Sequence, residues 1–405
     1  MLTPNDLQAI ANDLTDIYAN VETECIRTIV DRITAGKKIT QAAVWQMKKL
    51  DDMGLLRREL IREVGKSSRT ALPKVEQLVN EALSRSVGVD VKKLRQSLKK
   101  SDEASVAERI ATLQASPAFR KLLKNTMAGV KDIMNLTGTK AVQGSLAAYR
   151  DAVNTAYLEM ASGNYTYEQA VSRAVGRIGK NGVRIVEGDK VPKDGALLKR
   201  NGTAYTTYTS GRIYPLDSAI RRDLTTAINQ ACGELTLETC GELDCQYVET
   251  SWHIGARPEH EVWQGRIFSL NPNDTKYPYF YAPQEAGGCG YGDMLGICGI
   301  NCYHSFNPWF EGSPRSTQEG KPSAAENARI YKEQQQQRSY ERSLRGLKRE
   351  QIAYREAGMT DKAQEVQRRI NETSARYRGF LKETGRERVT MLEKVPGYRP
   401  ISTKA

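Results

Sequence analysis

Histidine is almost missing from this sequence: three residues in 405, alongside four tryptophans, six phenylalanines and seven cysteines. Apolar residues make up 39%, below the roughly 45–50% usual for a compact globular protein. That shortage excludes one large, tightly packed enzyme barrel. No apolar run reaches the roughly 18 residues of a membrane span. The most extended uncharged stretch of interest, Met294–Phe310, contains Asn, His and Pro and cannot be one. The start, Leu2-Thr3-Pro4-Asn5-Asp6 after Met1, carries neither the basic region nor the apolar core of a secretory leader. Synthesis in a reducing cytosol is therefore expected, with cysteines as thiols or metal ligands rather than disulfides. A Walker loop, a GxGxxG turn and an HExxH pair are also missing; His260-Glu261 has no second His at the required spacing. No internal repeat is present.

What is there is unevenly placed. The net charge is +12. Residues 1–160 hold 25 Lys/Arg against 19 Asp/Glu, residues 161–310 hold 14 against 16, and residues 311–405 hold 21 against 13. The two ends are basic, which fits a phosphate backbone, an acidic protein surface, or simply solvated helical faces. The rare residues show the opposite bias: all three His, six of seven Cys and three of four Trp lie in 161–310.

Length alone gives two to four units at roughly 100–200 residues each. The pattern divides the chain into three and predicts an α+β class. Residues 1–160 read as an elongated helical domain. Thr3-Pro4 caps a first helix whose Leu7, Ile10, Leu14, Ile17, Val21 and Cys25 share one face. Thr40 opens a second helix with Trp45, Leu50, Met53, Leu56, Leu60 and Val64. Pro73 opens a third, and Ser116-Pro117 caps another that Gly138 and Gly144 divide. Residues 161–312 read as a small α+β domain. Thr166 and Gln169 have capping-box spacing, residues 183–213 are β-rich through Val191 and Thr203–Thr209, Asp217 starts a helix, Gln246–His253 alternates as a strand, and 254–310 is loop-rich. Residues 313–405 read as a basic, mostly helical extension over about Ala324–Thr384, with so little apolar surface that it needs a partner or stands alone in solvent.

Two dense stretches could carry chemistry. Cys289, Cys298, Cys302 and His304 form the first. Thiolates and imidazoles are the donors zinc prefers, so Cys298, Cys302, His304 and His253 are the candidate zinc ligands, with His260 a further donor. A buried loop core of small residues explains the same residues without metal, and Cys302-x-His304 is an awkward spacing for joint coordination. A nucleophile reading makes Cys302 a thiol activated by His304 or His253, with Asp293 or Glu261 orienting the base. The second stretch is Trp252–Gly265, where Arg257 and two His beside carboxylates suit phosphate binding or acid–base work; a strand running into a turn above a packed Trp263 explains it equally.

These stretches carry a resemblance. Ser251-Trp-His-Ile-Gly-Ala-Arg-Pro-Glu-His-Glu-Val-Trp-Gln-Gly-Arg-Ile-Phe-Ser269, then Tyr277-Pro278, then Gly296-Ile-Cys-Gly-Ile-Asn-Cys-Tyr-His-Ser-Phe306, with Ser210-Gly-Arg212, Leu216 and Arg221-Arg222 upstream, resemble the tailed-phage minor capsid protein 2 family, which is similar to the head-morphogenesis group related to the Mu F protein. The signature residues are His253, Arg257, Pro258, His260, Trp263, Gln264, Gly265 and Asn301. Tyr303 stands where the family commonly has Arg, and Ile300 where it commonly has Trp, which argues against a strict catalytic demand at those positions.

The resemblance implies a low-copy structural head protein at the portal vertex, built in during procapsid assembly in the host cytoplasm and retained in the virion. Its partners would be the portal protein and the capsid or scaffold proteins, with no membrane and no required cofactor. The N-terminal helices would dock, and the basic C-terminal helix would lie along packaged double-stranded DNA through Arg342, Arg345, Lys348, Arg349, Arg368 and Arg369, by contacts that salt weakens. The alternative is a zinc- or thiol-dependent nuclease or transferase delivered with the genome. A free nucleic-acid-binding protein of the host is weaker, because no groove-reading motif is present.

Overall fold

A computed structural model describes residues 1–98, 111–186, 198–200, 203–205, 213–315 and 320–402. The chain is mostly helical, with one small three-stranded antiparallel sheet and two antiparallel strand pairs. Among the described residues, no helix is long and apolar enough to cross a membrane. Val191, Thr206–Thr209 and Ser210-Gly-Arg212 lie outside the described residues, as do the side chains of Leu14 and Ile17.

Helix α1 (Pro4–Thr34) starts as the sequence indicates: Thr3 caps it, with Asp6 closing the reciprocal bond and Pro4 at the first position. The second helix is shorter than expected. It ends as α2 (Ala42–Asp51), and α3 runs from Met53 to Leu98 with Pro73 inside it. A proline there removes one backbone bond and crowds the preceding turn. Burial of Leu60, Val64 and Ala71 before it and Val75, Val79 and Leu83 after it holds the helix straight through. Helix α4 (Pro117–Ala161), capped by Ser116, is also continuous across Gly138 and Gly144. Gly144 is there for space: a Cβ would stand 2.2 Å from the Arg184 carbonyl oxygen of the strand laid against it.

Helix α5 (Tyr167–Asn181) carries the expected capping box, with Gln169 N donating to Thr166 Oγ1 at 3.3 Å and Thr166 N to Gln169 Oε1 at 2.9 Å. Strand β1 (Arg184–Val186) pairs with β4 (Ile213–Pro215), and β2 (Leu198–Arg200) with β3 (Thr203–Tyr205), all antiparallel. Helix α6 (Leu216–Glu242) follows. Its buried Ile220, Leu224, Ile228, Cys232 and Leu235 fill the space between α1, α3 and α4.

The sheet then forms around β5 (Tyr247–Thr250), flanked by β6 (Ile267–Ser269) and β7 (Phe306–Trp309). A one-turn helix, α7 (Pro258–Glu261), sits in the connection between β5 and β6. The expected single C-terminal helix is two: α8 (Ala324–Glu356) and α9 (Thr360–Thr384), folded back on each other. Gly358, at φ 69°, makes the turn. The pair buries Leu344, Leu347, Val366, Ile370, Tyr377 and Phe380, with Tyr340 stacked on Tyr377 at 5.3 Å between centroids, while Tyr354 packs on Gly176 of α5.

This hairpin also packs on α5 and α1. At Gly179 a Cβ would lie 2.6 Å from the Glu350 Cα, so α8 and α5 meet backbone to backbone. Buried Glu22 on α1 joins three distant parts of the chain. Its carboxylate accepts from Val183 N at 3.0 Å and from Arg349 at 3.0 Å.

Candidate functional site

The signature residues assemble beside the sheet because two connections return to the same place. Ser251, at the end of β5, accepts Gly265 N on its carbonyl and Ser305 N on its hydroxyl. That ties 251, 265 and 305 together and carries His253, His260, Gln264, Cys302 and His304 into one cluster. Arg257 precedes α7 and Pro258 occupies its first position, where the missing N–H costs nothing. Gly265 makes its turn at φ 67°, and Asn301 and Cys298 adopt left-handed backbone at φ 54° and 59°. The 289–302 loop is folded tightly on itself: a Cβ at Gly296 would lie 1.8 Å from the Gly290 oxygen.

At the centre, His304 is fully buried, and His260 and Cys302 are only 1% and 2% exposed. His260 Nδ1 is 3.3 Å from His304 Nδ1, and Cys302 Sγ is 3.6 Å from the same His304 Nδ1. Their other ring nitrogens are also occupied: His304 Nε2 is 3.1 Å from Gln264 Oε1, and His260 Nε2 is 2.7 Å from the Leu295 oxygen. Arg257 lies 2.8 Å from His260 Nε2. Trp263 is buried with its ring centroid 4.6 Å from that of His260 and 4.6 Å from that of His304.

Burial sets the electrostatics. It drives His260 down to about 3, with the Arg257 charge adding to the effect. It holds His304 well below the ordinary imidazole value, reinforced by His253 and His260, and lowers His253 too. The same desolvation pushes the Cys302 thiol up to about 11 and the Cys298 and Cys289 thiols well above their usual value. As the side chains stand, the imidazoles are neutral and the thiols protonated.

Of the four sequence-designated zinc ligands, Cys302 and His304 meet. The Cys-x-His spacing is no obstacle, since the turn at 302–304 brings thiol and imidazole to one side. His253 is displaced from the set: its ring stacks on His304 at 4.3 Å between centroids, and its Nδ1 faces its own neighbour's carbonyl, Ile254 O, at 3.2 Å. Cys298 is buried with its Sγ 4.0 Å from the His304 oxygen. His260 takes the third place, and among the described residues His260, Cys302 and His304 group their donor atoms within 4.8 Å. Asn301 is an exposed turn residue.

Residues that sequence reasoning missed clamp this region from outside. Asn327 on α8 accepts Gly255 N at 2.9 Å and Ala256 N at 3.0 Å, and donates to the Ala256 oxygen at 3.0 Å. Lys321 donates to the Gln264 oxygen at 2.9 Å, and Asn229 on α6 donates to the Cys302 oxygen at 3.0 Å. A polar residue on an otherwise packed helix face is the signal that could have found Asn229.

The six basic residues assigned to DNA divide. Arg349 is buried on Glu22. Lys348 binds the Glu393 carbonyl at 2.7 Å, and Arg345 binds the Leu392 carbonyl. These three turn inward: Arg345 and Lys348 hold the C-terminal segment through its carbonyls, and Arg349 ties α8 to α1. Arg369 pairs with Glu350 at 3.2 Å while partly exposed. Arg342 and Arg368 are exposed.

Comparison with known proteins agrees with this geometry in extent. The chain is 22% identical over 385 residues to a structural protein of Lactococcus phage LL-H, covering 91% of this chain and 94% of that one. It is 32% identical over 112 residues to a structural protein of Lactococcus phage mv4, covering 27% of this chain and 84% of that one. No solved structure matches it. The family model described as phage minor capsid protein 2 matches residues 2–194 and 195–382, taking in the helical frame as well as the His/Cys cluster, and the chain belongs to that family.

Proposed function

We propose that this chain is a non-catalytic structural component of a tailed-phage head that docks at the portal vertex during assembly and lies beside the packaged DNA. The observation that carries the reading is the family match over nearly the whole chain, long helices included. Large apolar side chains exposed on α2, α3 and α4, namely Val44, Met47, Leu55, Ile61, Leu136 and Leu158, supply surface for a protein partner. The DNA-facing role falls to Arg342 and Arg368, with Arg369 beside them, since Arg345, Lys348 and Arg349 are engaged internally.

A thiol-dependent nuclease or transferase needs a thiolate that substrate can reach. Burial of Cys302 and the rise of its thiol to about 11 weigh against that alternative. The test is co-purification of the full chain with the cognate portal protein. Retention at physiological salt, weakened by Met47→Asp with Ile61→Asp, is the expected result. Retention by the major capsid protein alone would overturn the portal assignment.

A further inference from the structure

The amide of Gln264 fixes the protonation of the buried cluster. Its Oε1 accepts the His253 backbone N–H at 3.2 Å. That neighbour is always a donor, so the oxygen must face it. His304 Nε2, 3.1 Å from the same oxygen, must then carry a proton. A neutral His304 therefore presents a lone pair at Nδ1. His260 Nε2 stands between the Leu295 carbonyl at 2.7 Å and the Arg257 guanidinium at 2.8 Å; with its proton on Nε2 toward the nearer carbonyl, a lone pair stands on Nδ1 and the Arg257 Nη2 faces that proton.

Two lone pairs thus point at each other across 3.3 Å, with a sulfur 3.6 Å from one of them. Without something positive between them this arrangement is repulsive. The spacing is informative. With Zn–N of about 2.0–2.1 Å and Zn–S of about 2.3 Å, tetrahedral zinc separates two nitrogens by about 3.3 Å and a nitrogen from a sulfur by about 3.6 Å; the two separations that involve His304 have these values, and the third pair, His260 with Cys302, lies within 4.8 Å and would close on the ion. The outer hydrogen bonds are those that orient metal-bound imidazoles: each ring gives its second N–H to an oxygen acceptor.

We propose that His260 Nδ1, His304 Nδ1 and Cys302 Sγ bind one zinc ion that pins α7 to the 289–304 loop. His260 comes from the first connection and the other two ligands from the second, so the metal crosslinks two segments otherwise joined by hydrogen bonds and ring packing. Binding would release the Cys302 thiol proton to solvent as the Zn–S bond forms, and the site's near-complete burial suits a structural role. The same atoms admit a metal-free arrangement. In it Arg257 donates to His260 Nε2 at 2.8 Å, and a proton on His260 Nδ1 bridges to His304. That arrangement leaves the Leu295 oxygen facing an acceptor.

The experiment is metal analysis of the full chain purified under reducing conditions without a metal-affinity tag, followed by exchange into cobalt(II). Expected is about one zinc per chain. Expected too is a thiolate-to-cobalt charge-transfer band in the near ultraviolet, lost in Cys302→Ser, with zinc retained in Cys298→Ala and His253→Gln. His260→Ala and His304→Ala should each lose most of the metal. Because those variants can unfold, X-ray absorption on the unaltered zinc protein gives an independent reading, with one sulfur and at least two imidazole nitrogens expected. Folded protein that carries no zinc and takes up none from zinc chloride would overturn the proposal in favour of the shared proton. Loss of zinc in Cys298→Ala, or two sulfurs in the absorption spectrum, would overturn the ligand set.

Discussion

The helical frame and the signature region reach rigidity by different means. The frame, α1 to α6 with the α8–α9 hairpin, is ordered by apolar stripes spread over long helices. Its buried polar joints tie helices at their crossings, among them Glu22 with Arg349 and Val183, and Asp90 with the Met1 amino group and Thr236. The region from Ser251 to Trp309 has short strands and a one-turn helix, and is held by backbone hydrogen bonds, close glycine turns and the clamps from Asn327, Lys321 and Asn229. In the first, one lost methyl group is diluted over many neighbours. In the second, one lost donor leaves a buried group unpaired.

The comparison can be broken at its joints. Arg349→Ala removes the guanidinium partner of buried Glu22, and should cost about 3–5 kcal/mol of global stability by urea unfolding. Glu22→Leu with Arg349→Met should recover much of that loss. Asn327→Ala strands backbone groups of Gly255 and Ala256 at about 1–3 kcal/mol each. In hydrogen exchange the loss should be confined to residues 253–257 and their surroundings, while α1 and α3 keep their protection. Equal loss in both regions would show that they do not differ as described. Thr166→Ala removes one cap of α5 and should cost about 1 kcal/mol.

A further effect, spread over a range of pH, concerns Glu234. Burial raises Glu234 on α6 to about 7, with Glu238 adding to it, from an ordinary value of 4.5. The folded chain then holds a proton that the unfolded chain releases, so stability falls as pH rises from about 4.5 through 7. Glu234→Gln should flatten that slope in unfolding curves measured between those values.

Much of the frame was legible in the sequence, because capping and periodicity act locally. Thr3, Ser116 and Thr166 mark the starts of their helices, and Leu7, Ile10, Val21 and Cys25 of the α1 stripe and Ile220 to Leu235 of the α6 stripe are buried. Pro73, Gly138 and Gly144 misled because their cost is local and the burial that outweighs it is not. The C-terminal helix looked short of apolar surface when Tyr354, Tyr377 and Phe380 were left out, and its partner turned out to be its own antiparallel neighbour together with α5. At the cluster, residue types pointed to Cys302 and His304, but not to the preference for His260 over His253. That choice depends on the short helix after Pro258, which turns His260 inward.

Asymmetric electron cryo-microscopy of procapsids tests the central claim most directly, since it locates the chain by shape. The long helices of the frame should appear in density at the single portal-bearing vertex, in contact with the portal ring. Density of that shape repeated at every vertex, or spread over the shell lattice, would contradict the account.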